Sequence, residues 1–407
     1  MGPVDGKERP GIGERLLDRG LRGDVKRKLL FLAVLGLLLF GTAIALDGLV
    51  LRPLLGDVLS EPTDLDFYRA RAESILEGKV PYVDFSSESP PLIMYLFIVP
   101  QLAGGSTQAY QLFFAAFAVL TAMALFLCLR ERDERKAMAA SLLYLVYPLG
   151  LMEFGIGAQD EAVTTFLFVL PLLLVLHRRA AASGAAAFVG VLTKMFNVTV
   201  LPWMFLHCDN RGRLRMVLAF TGLACLVLVP FLLLFPDDLP SFTYYFLGHP
   251  ETPTGGSSIS PWHYLGMLGY GLPGWAGVAL TMIGLAGSSL FAFWKRMSLW
   301  QGAALVTLVF FLTYPKILLV YFMMPAVLLL MWGVEDRKVV IKLTAMLVPL
   351  FLSVALTGNG MNPLEDEPWV WLLGLALSLS GWAMMLETWW RVKDSVPFFE
   401  RPEDADR

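Results

Sequence analysis

Carboxylates are concentrated between positions 64 and 88, directly after the first long apolar segment of the chain. They are Asp64, Asp66, Glu73, Glu77, Asp84 and Glu88. A carboxylate within hydrogen-bond reach of a hydroxyl can act as a general base, so this loop could remove a proton from an acceptor. Because most of the chain is apolar, we interpret this acidic segment as an active-site loop.

Two lysines carry the opposite charge in apolar surroundings. Lys194 and Lys316 lie beside long apolar segments, where an unpaired ammonium is costly. Each is therefore expected to point into a cavity with a polar or anionic partner. A structural salt bridge explains either lysine alone as well as ligand binding does. As parts of a site, they could stabilise negative charge that develops on a leaving group.

Two other segments contribute candidate side chains. Asp160 and Glu161 follow a glycine-containing turn, and His263 lies among aromatic residues in the long segment 236–272. His263 could bind phosphate or act as an acid or base. A structural hydrogen bond is nevertheless the commoner role for a histidine in such surroundings.

The requirement for a metal stays open. Asp64 and Asp66 could coordinate a divalent ion such as Mg²⁺ or Mn²⁺, or could simply flank the acceptor. The sequence contains no zinc motif and no Gly-rich phosphate loop, which disfavours nucleotide-driven chemistry. The formal net charge of -3 argues against a nucleic-acid surface.

Membrane helices must position these groups. Hydrophobic residues make up 56% of the 407 residues, charged residues make up 16%, and the mean hydropathy is +0.62. These values are typical of an integral membrane protein. The sequence therefore predicts an all-α, multi-pass fold.

Ten apolar segments are long enough, or nearly so, to cross about 30 Å of hydrocarbon at about 1.5 Å per residue. They occupy residues 29–50, 108–130, 137–152, 161–177, 215–235, 273–294, 298–314, 317–333, 339–356 and 369–390. Two more segments, 91–103 and 184–207, are ambiguous by length alone, so their placement has to rest on charge.

The positions of the basic residues indicate how the ambiguous segments are placed, because arginine and lysine concentrate in short cytoplasmic loops. Most basic clusters share one side if 91–103 lies at the outer interface and 184–207 forms two short helices that meet near Lys194. This arrangement predicts about twelve crossings of the cell membrane and places both termini in the cytoplasm. The candidate residues then gather at the outer face.

A sugar transferase with a lipid-linked donor would need this combination of groups. Attack of a hydroxyl on an anomeric carbon requires a base, and a departing phosphate requires a cation or a metal. Such a donor also supplies its own energy, which fits the absence of an ATP motif from the sequence.

The acidic loop also resembles a known family. Three motifs carry the likeness: Asp64-Leu-Asp-Phe-Tyr68, Gly78-Lys-Val-Pro-Tyr-Val-Asp-Phe85 and Glu88-Ser-Pro-Pro-Leu92. They resemble the first outer loop of GT-C-fold glycosyltransferases, which use polyprenyl-phosphate sugars. The best matches are prokaryotic mannosyltransferase-like proteins and the transferases that add aminoarabinose to lipid A. The family's two interfacial helices in this loop agree with the placement of 91–103.

Later motifs are similar to the same family. The segment Gly155–Glu161 resembles its second acidic loop, and Gly190–Lys194 resembles its short-helix turn. Pro315-Lys316, followed by Tyr321, resembles a motif near the lipid phosphate.

The resemblance implies a role for each candidate. Asp64 would be the catalytic base, Asp160 the second acid, and Lys316 with Lys194 the cations on the phosphate side. The remaining substrate-binding candidates are Asp66, Tyr68, Glu88, His263 and Tyr321.

One position departs from the family pattern. The aminoarabinose transferases have a lysine before the Pro-Pro pair, where it contacts the donor phosphate, and this chain has Ser89 there. This chain therefore lacks that lysine contact, and Lys316, Lys194, Arg69 or His263 could supply the charge instead.

We therefore predict a transferase domain at 29–390 between cytoplasmic tails at 1–28 and 391–407, with active-site loops at 51–107, 153–161 and 236–272. The tail after Arg391, with its alternating charges and prolines, is expected to be disordered. The enzyme would move a hexose or pentose to a lipid, glycan or protein acceptor, and a mannose-like sugar is the first candidate.

Two alternatives remain at this point. One is a transporter or flippase for a lipid-linked substrate, since twelve crossings and intramembrane charge also suit transport. The other is a polymerase or ligase of surface polysaccharide. Against transport, the charged residues cluster on one face, and no half-chain repeat is visible in the sequence.

Overall fold

The computed structural model describes residues 11–54, 64–87, 89–235, 258–358 and 367–400. Within these ranges every regular element is a helix, and β structure is limited to two isolated bridges. The predicted all-α class is confirmed.

The amino-terminal part of the described chain contains long helices separated by short ones. Its α-helices are α1 (Ile12–Gly20), α2 (Val25–Leu46), α3 (Asp64–Leu76), α4 (Pro91–Leu96), α5 (Ile98–Leu102), α6 (Thr107–Leu129), α7 (Glu134–Leu145), α8 (Pro148–Gly150), α9 (Glu161–Leu176), α10 (Ala180–Val191) and α11 (Leu201–His207). A π-helical turn, Asp47–Leu51, extends α2, and another, Leu151–Ile156, extends α8. A 3₁₀ helix, Met195–Val200, connects α10 to α11.

The carboxy-terminal part continues in the same manner. Its α-helices are α12 (Asn210–Leu234), α13 (Pro261–Leu265), α14 (Gly274–Trp294), α15 (Leu299–Thr313), α16 (Met323–Gly333), α17 (Arg337–Ala345), α18 (Leu347–Thr357) and α19 (Pro368–Val392). A π-helical turn, Gly266–Tyr270, follows α13, and a 3₁₀ helix, Leu319–Phe322, precedes α16.

The described helices establish a multi-pass membrane protein. Six helical segments are long and apolar enough to cross a bilayer, and the bent pair α7 with α8 and its π-helical turn would make seven. The predicted twelve crossings are not reached on this criterion, because several apolar helices are short. At about 1.5 Å per residue, the 16-residue α9 is about 24 Å long, less than the hydrocarbon thickness of about 30 Å.

The environment of the helices differs strongly between the centre and the periphery. Every residue of α16 is buried, so this short apolar helix lies inside the protein. By contrast, only Gly212 and Met216 are buried in α12, although its hydropathy is high. An apolar helix with so much exposed surface is suited to contact with lipid.

The structure shows a helix in the acidic loop and confirms the predicted break in the segment 184–207. The acidic loop contains a helix, α3, and Gly78 follows its end with a φ of +86°, a conformation that glycine adopts without steric cost. The segment 184–207 is broken beside Lys194, between α10 and the 3₁₀ helix that leads into α11.

The segment after α19 packs against the protein as far as Glu400. The Glu400 carboxylate accepts hydrogen bonds from Ser298 Oγ at 2.5 Å and from the Trp300 backbone N–H at 3.2 Å, at the start of α15. Phe399 is fully buried, with its ring 5.1 Å from the Trp300 ring. The predicted disorder is therefore wrong for 393–400. The charges and prolines of this segment suggested disorder, but Phe399 packs in the core and Glu400 caps the start of α15.

Candidate active site

A cavity of about 180 Å³ gathers side chains from five segments of the chain. It is lined by Asp64, Phe67, Tyr68, Arg71, Ser89, Pro90, Asp160, Glu161, Thr193, Lys194, Phe196, Tyr314, Lys316, Leu318 and Tyr321. The cavity therefore contains carboxylates, cations and aromatic rings from regions that are far apart in sequence.

Helix α3 supplies one wall of the cavity. Asp64, Tyr68 and Arg71 share one face because residues three and four apart lie above one another on a helix. The Tyr68 ring is buried and stacks on Phe97 at a centroid distance of 4.3 Å. This packing fixes the face that carries Asp64.

The segment before α4 forms the adjacent wall. Arg71 is buried and donates a hydrogen bond to Ser89 Oγ at 2.9 Å, and the Tyr82 hydroxyl donates to the Ser89 carbonyl at 2.6 Å. The Leu92 N–H donates to the Leu192 carbonyl at 2.9 Å, which ties this wall to the turn beside Lys194.

The second acidic loop enters the cavity through Asp160 and Glu161. Both residues are buried, at 4% and 1% exposure. The turn that precedes them places Ala158 at a φ of +50°, an uncommon conformation for a residue with a side chain. Such strain is often found at functional sites.

Lys194 is held between these acids. Its amino group donates to Asp160 Oδ1 at 2.9 Å and also to Glu161 Oε1, and it lies 5.3 Å from the centroid of the Tyr321 ring. Burial alone would lower the pKa of Lys194, but the two carboxylates outweigh burial and raise this pKa well above its ordinary value. Lys194 is therefore a permanent cation that neutralises part of the acidic charge.

Lys316 approaches the cavity from the segment between α15 and the Leu319–Phe322 turn. The residues around position 259 hold this segment in place. The Ile259 N–H donates to the Ile317 carbonyl at 2.7 Å, and the Ser260 hydroxyl donates to the Tyr314 carbonyl at 3.1 Å. Lys316 is half-buried at a fixed point of the cavity wall.

Asp64 remains open to solvent, yet its acidity is altered by its surroundings. The protein packed around its carboxylate raises the pKa of Asp64, and the negative charge of Asp160 raises it further. Lys194, a hydrogen bond from the Gln159 side chain and Arg71 act in the opposite direction. A carboxyl with a raised pKa is a stronger base when ionised, as a proton acceptor requires.

The structure brings together most of the residues predicted for the site. Asp64, Tyr68, Asp160, Lys194, Lys316 and Tyr321 all line the cavity. Asp66 does not line it, and its carboxylate lies 3.3 Å from Arg69. Glu88 lies outside the described residues.

His263 is buried and does not line the cavity. Burial and the nearby charge of Lys316 lower the pKa of His263 to about 4, so the ring is neutral at physiological pH. A neutral ring has no charge to offer a phosphate, although it can still donate one hydrogen bond.

Arg71 is a cavity residue that the candidate list omitted. Its position, three residues after Tyr68 and seven after Asp64, gives the signal in the sequence. The guanidinium reaches Ser89, the position where the aminoarabinose transferases have a lysine. A cation is thus present at this point of the cavity, supplied by a different segment.

The described residues contain no group of three or more His, Cys, Asp or Glu side chains arranged to hold a metal ion. The Asp66 carboxylate pairs with Arg69 at 3.3 Å and does not line the cavity beside Asp64. The acids nearest to Asp64 in the cavity are Asp160 and Glu161, and both are paired with Lys194.

The family model of glycosyltransferase family 87 matches residues 89–321, more than half of the chain. The chain belongs to glycosyltransferase family 87. The match includes many of the cavity residues, among them Asp160, Lys194, Lys316 and Tyr321. The match begins at residue 89, after α3, so Asp64 lies 25 residues before the matched region of this family 87 enzyme. No curated protein matches the chain.

Proposed function

We propose that this family 87 glycosyltransferase moves a hexose or pentose from a polyprenyl phosphate to a lipid, glycan or protein acceptor. A mannose-like sugar is the first candidate. The observation that carries the proposal is the shared cavity, in which the solvent-open Asp64 lies with the cations Arg71 and Lys316. A base and phosphate-binding cations are the groups that transfer from such a donor requires.

The reaction follows from these groups by direct displacement. The acceptor hydroxyl oxygen attacks the anomeric carbon of the sugar and forms the new glycosidic bond. Asp64 takes the hydroxyl proton, and the bond between the anomeric carbon and the phosphate oxygen breaks. Polyprenyl phosphate leaves with the electron pair, and the configuration at the anomeric carbon is inverted.

The other cavity residues have supporting roles in this proposal. Asp160 assists as the second acid, and Lys194 holds it in place while contributing positive charge on the phosphate side. Lys316 meets the negative charge of the departing phosphate. The aromatic rings of Tyr68 and Tyr321 would form part of the sugar subsite.

The orientation in the membrane is part of the same proposal. The cavity would open at the outer face, and the domain at 29–390 would lie between cytoplasmic tails at 1–28 and 391–407. The concentration of basic residues away from the cavity loops supports this orientation. Protease digestion of sealed, right-side-out vesicles should leave epitope tags at both termini intact, and digestion of either tag would contradict it.

Replacement of Lys316 tests the phosphate-side assignment. We expect Lys316→Met to raise KM for the lipid-linked donor about 10-fold to 100-fold, because a charge-assisted contact contributes about 1.5–3 kcal/mol. Steady-state kinetics with varied donor at a saturating concentration of acceptor would measure the change. Inhibition by added polyprenyl phosphate should weaken in parallel.

Lys79→Met is the matched control for this substitution. Lys79 is half-exposed, pairs with Glu77 and does not line the cavity, so its loss should leave donor KM unchanged. A wild-type kcat/KM for the donor in Lys316→Met would contradict the assignment.

The pH profile provides a second test. Activity should fall on the acid side as Asp64 is protonated, at a pH above the ordinary range for an aspartate, because its pKa is raised. Replacement of Asp160 by asparagine removes a charge that raises this pKa. We therefore expect the acid limb of the kcat profile in Asp160→Asn to move to lower pH. A shift to higher pH would show that the two carboxylates do not interact in this way.

A further inference from the structure

A buried network of hydrogen bonds connects the end of α2 to the segment that leads into the cavity. Asp47, at the end of α2, is fully buried, and its Oδ2 accepts a hydrogen bond from Gln111 Nε2 at 2.7 Å. The same nitrogen donates to the Ile156 carbonyl at 3.0 Å. Gln111 therefore bridges α2 to the segment that leads into Asp160.

Gln111 is suited to this bridge by its chemistry. A side-chain amide nitrogen carries two hydrogens, so it can donate to a carboxylate and a carbonyl at once. An apolar side chain in its place would leave a buried carboxylate and a buried carbonyl without these bonds, which is costly in a low-dielectric interior. Asp47 is also oriented by Arg52, whose Nε donates to the same oxygen at 2.8 Å.

The backbone on both sides of the bridge has an irregular helical form. Asp47–Leu51 and Leu151–Ile156 are π-helical turns, and such turns are frequent at functional sites. Gly155 allows the two regions to approach closely, because a Cβ at this position would lie 2.9 Å from the Cβ of Ala43.

The Ile156 carbonyl, which accepts the bond from Gln111, lies only four residues before Asp160 in the chain. The Gly157 N–H donates to the Met152 carbonyl at 2.8 Å, and the Gln159 N–H donates to the Glu153 carbonyl at 3.0 Å. These bonds fold the segment after Ile156 back on the π-helical turn. From the same segment, the Gln159 side chain lies close enough to Asp64 to lower the pKa of that carboxyl.

We infer that Asp47 and Gln111 are positioning residues that hold the segment 156–161, and through it Gln159 and Asp160, in register with Asp64. This inference rests on the proposed function for its kinetic consequence. Neither residue lines the cavity, so both act through the backbone of the segment. Misplacement of a reacting group by about 1 Å can cost about 100-fold in rate.

Replacement of Gln111 by methionine removes both donors at similar side-chain length. In the purified full-length protein, we expect kcat per folded molecule to fall about 10-fold to 100-fold, with donor KM changed less than about twofold. Hydrogen–deuterium exchange should also become faster in the peptide that contains the Gly157 and Gln159 amides. A variant with wild-type kcat per folded molecule and wild-type exchange overturns the inference.

Two further variants make the test specific. Thr121→Val removes a partly buried hydrogen bond to the Phe117 carbonyl within α6, so both readouts should stay at the wild-type level. The double variant Asp47→Asn with Gln111→Glu restores a bond between positions 47 and 111, but a carboxylate cannot donate to the Ile156 carbonyl. We expect low kcat and fast exchange in this folded protein, and recovery of both would overturn the inference even if Gln111→Met fails to fold.

The inference and the proposed function fail in different ways. If the wild-type enzyme transfers no sugar from any lipid-linked donor, the proposed function fails, and the exchange experiment still tests the bridge. If the wild type is active and Asp64→Asn is inactive while Gln111→Met behaves as wild type in both readouts, only the inference fails.

Discussion

Replacement of Asp64 by asparagine should abolish sugar transfer while leaving the protein folded. The loss should be at least about 100-fold and up to about 10,000-fold, the usual contribution of a general base. Asparagine keeps the size of the side chain and its amide oxygen can still accept hydrogen bonds, so the local geometry is retained. What is lost is the ability to take up the acceptor proton.

The measurement is transfer from a polyprenyl-phosphate sugar by purified protein, normalised to the folded fraction. Glu77→Gln is the matched control, since Glu77 lies just beyond the same helix, is exposed and does not line the cavity. It should retain full activity. A folded Asp64→Asn protein that transfers sugar at the wild-type rate would remove Asp64 from the mechanism.

Replacement of Lys194 by methionine should damage both folding stability and activity. The change leaves the buried carboxylates of Asp160 and Glu161 without their cation. Loss of one partner from a buried ion pair costs about 3–5 kcal/mol of folding free energy. We expect a clearly lower midpoint of thermal unfolding, measured in detergent, and loss of transfer in the protein that remains folded.

A double variant separates the two effects of Lys194. Adding Glu161→Gln to Lys194→Met removes one of the two stranded charges, so part of the lost stability should return. Transfer should stay low, because Asp160 remains without its positioning partner. If Lys194→Met alone is as stable and as active as the wild type, the ion cluster has neither of the roles assigned to it.

The helices and several site residues could be predicted from local sequence patterns. Hydropathy located the apolar helices, and the break beside Lys194 followed from the placement of basic residues. Helical spacing in α3 also predicts which of its side chains share the face of Asp64. Arg71 lies on the Asp64 face, whereas Asp66 is two residues from Asp64 and so points to another side of α3.

Other features depend on contacts between residues distant in sequence. The pairing of Lys194 with Asp160 joins residues 34 positions apart, and Gln111 reaches Asp47 across 64 positions. No local sequence pattern predicts these contacts. The contact of Glu400 with the start of α15 cannot be predicted locally either, because the composition of its segment suggests disorder.

The central claim is that the sugar donor is a polyprenyl phosphate and that transfer occurs in the Asp64 cavity. The most direct test supplies the purified enzyme in lipid vesicles with radiolabelled sugars on polyprenyl phosphate, or with the same sugars on nucleotides, together with membrane lipid and glycan acceptors. We predict glycosylated product and an equal amount of free polyprenyl phosphate from the lipid-linked donor only, with neither formed by Asp64→Asn. Product formed from a nucleotide sugar alone, or movement of the lipid-linked sugar across the vesicle without glycosidic product, would contradict the account.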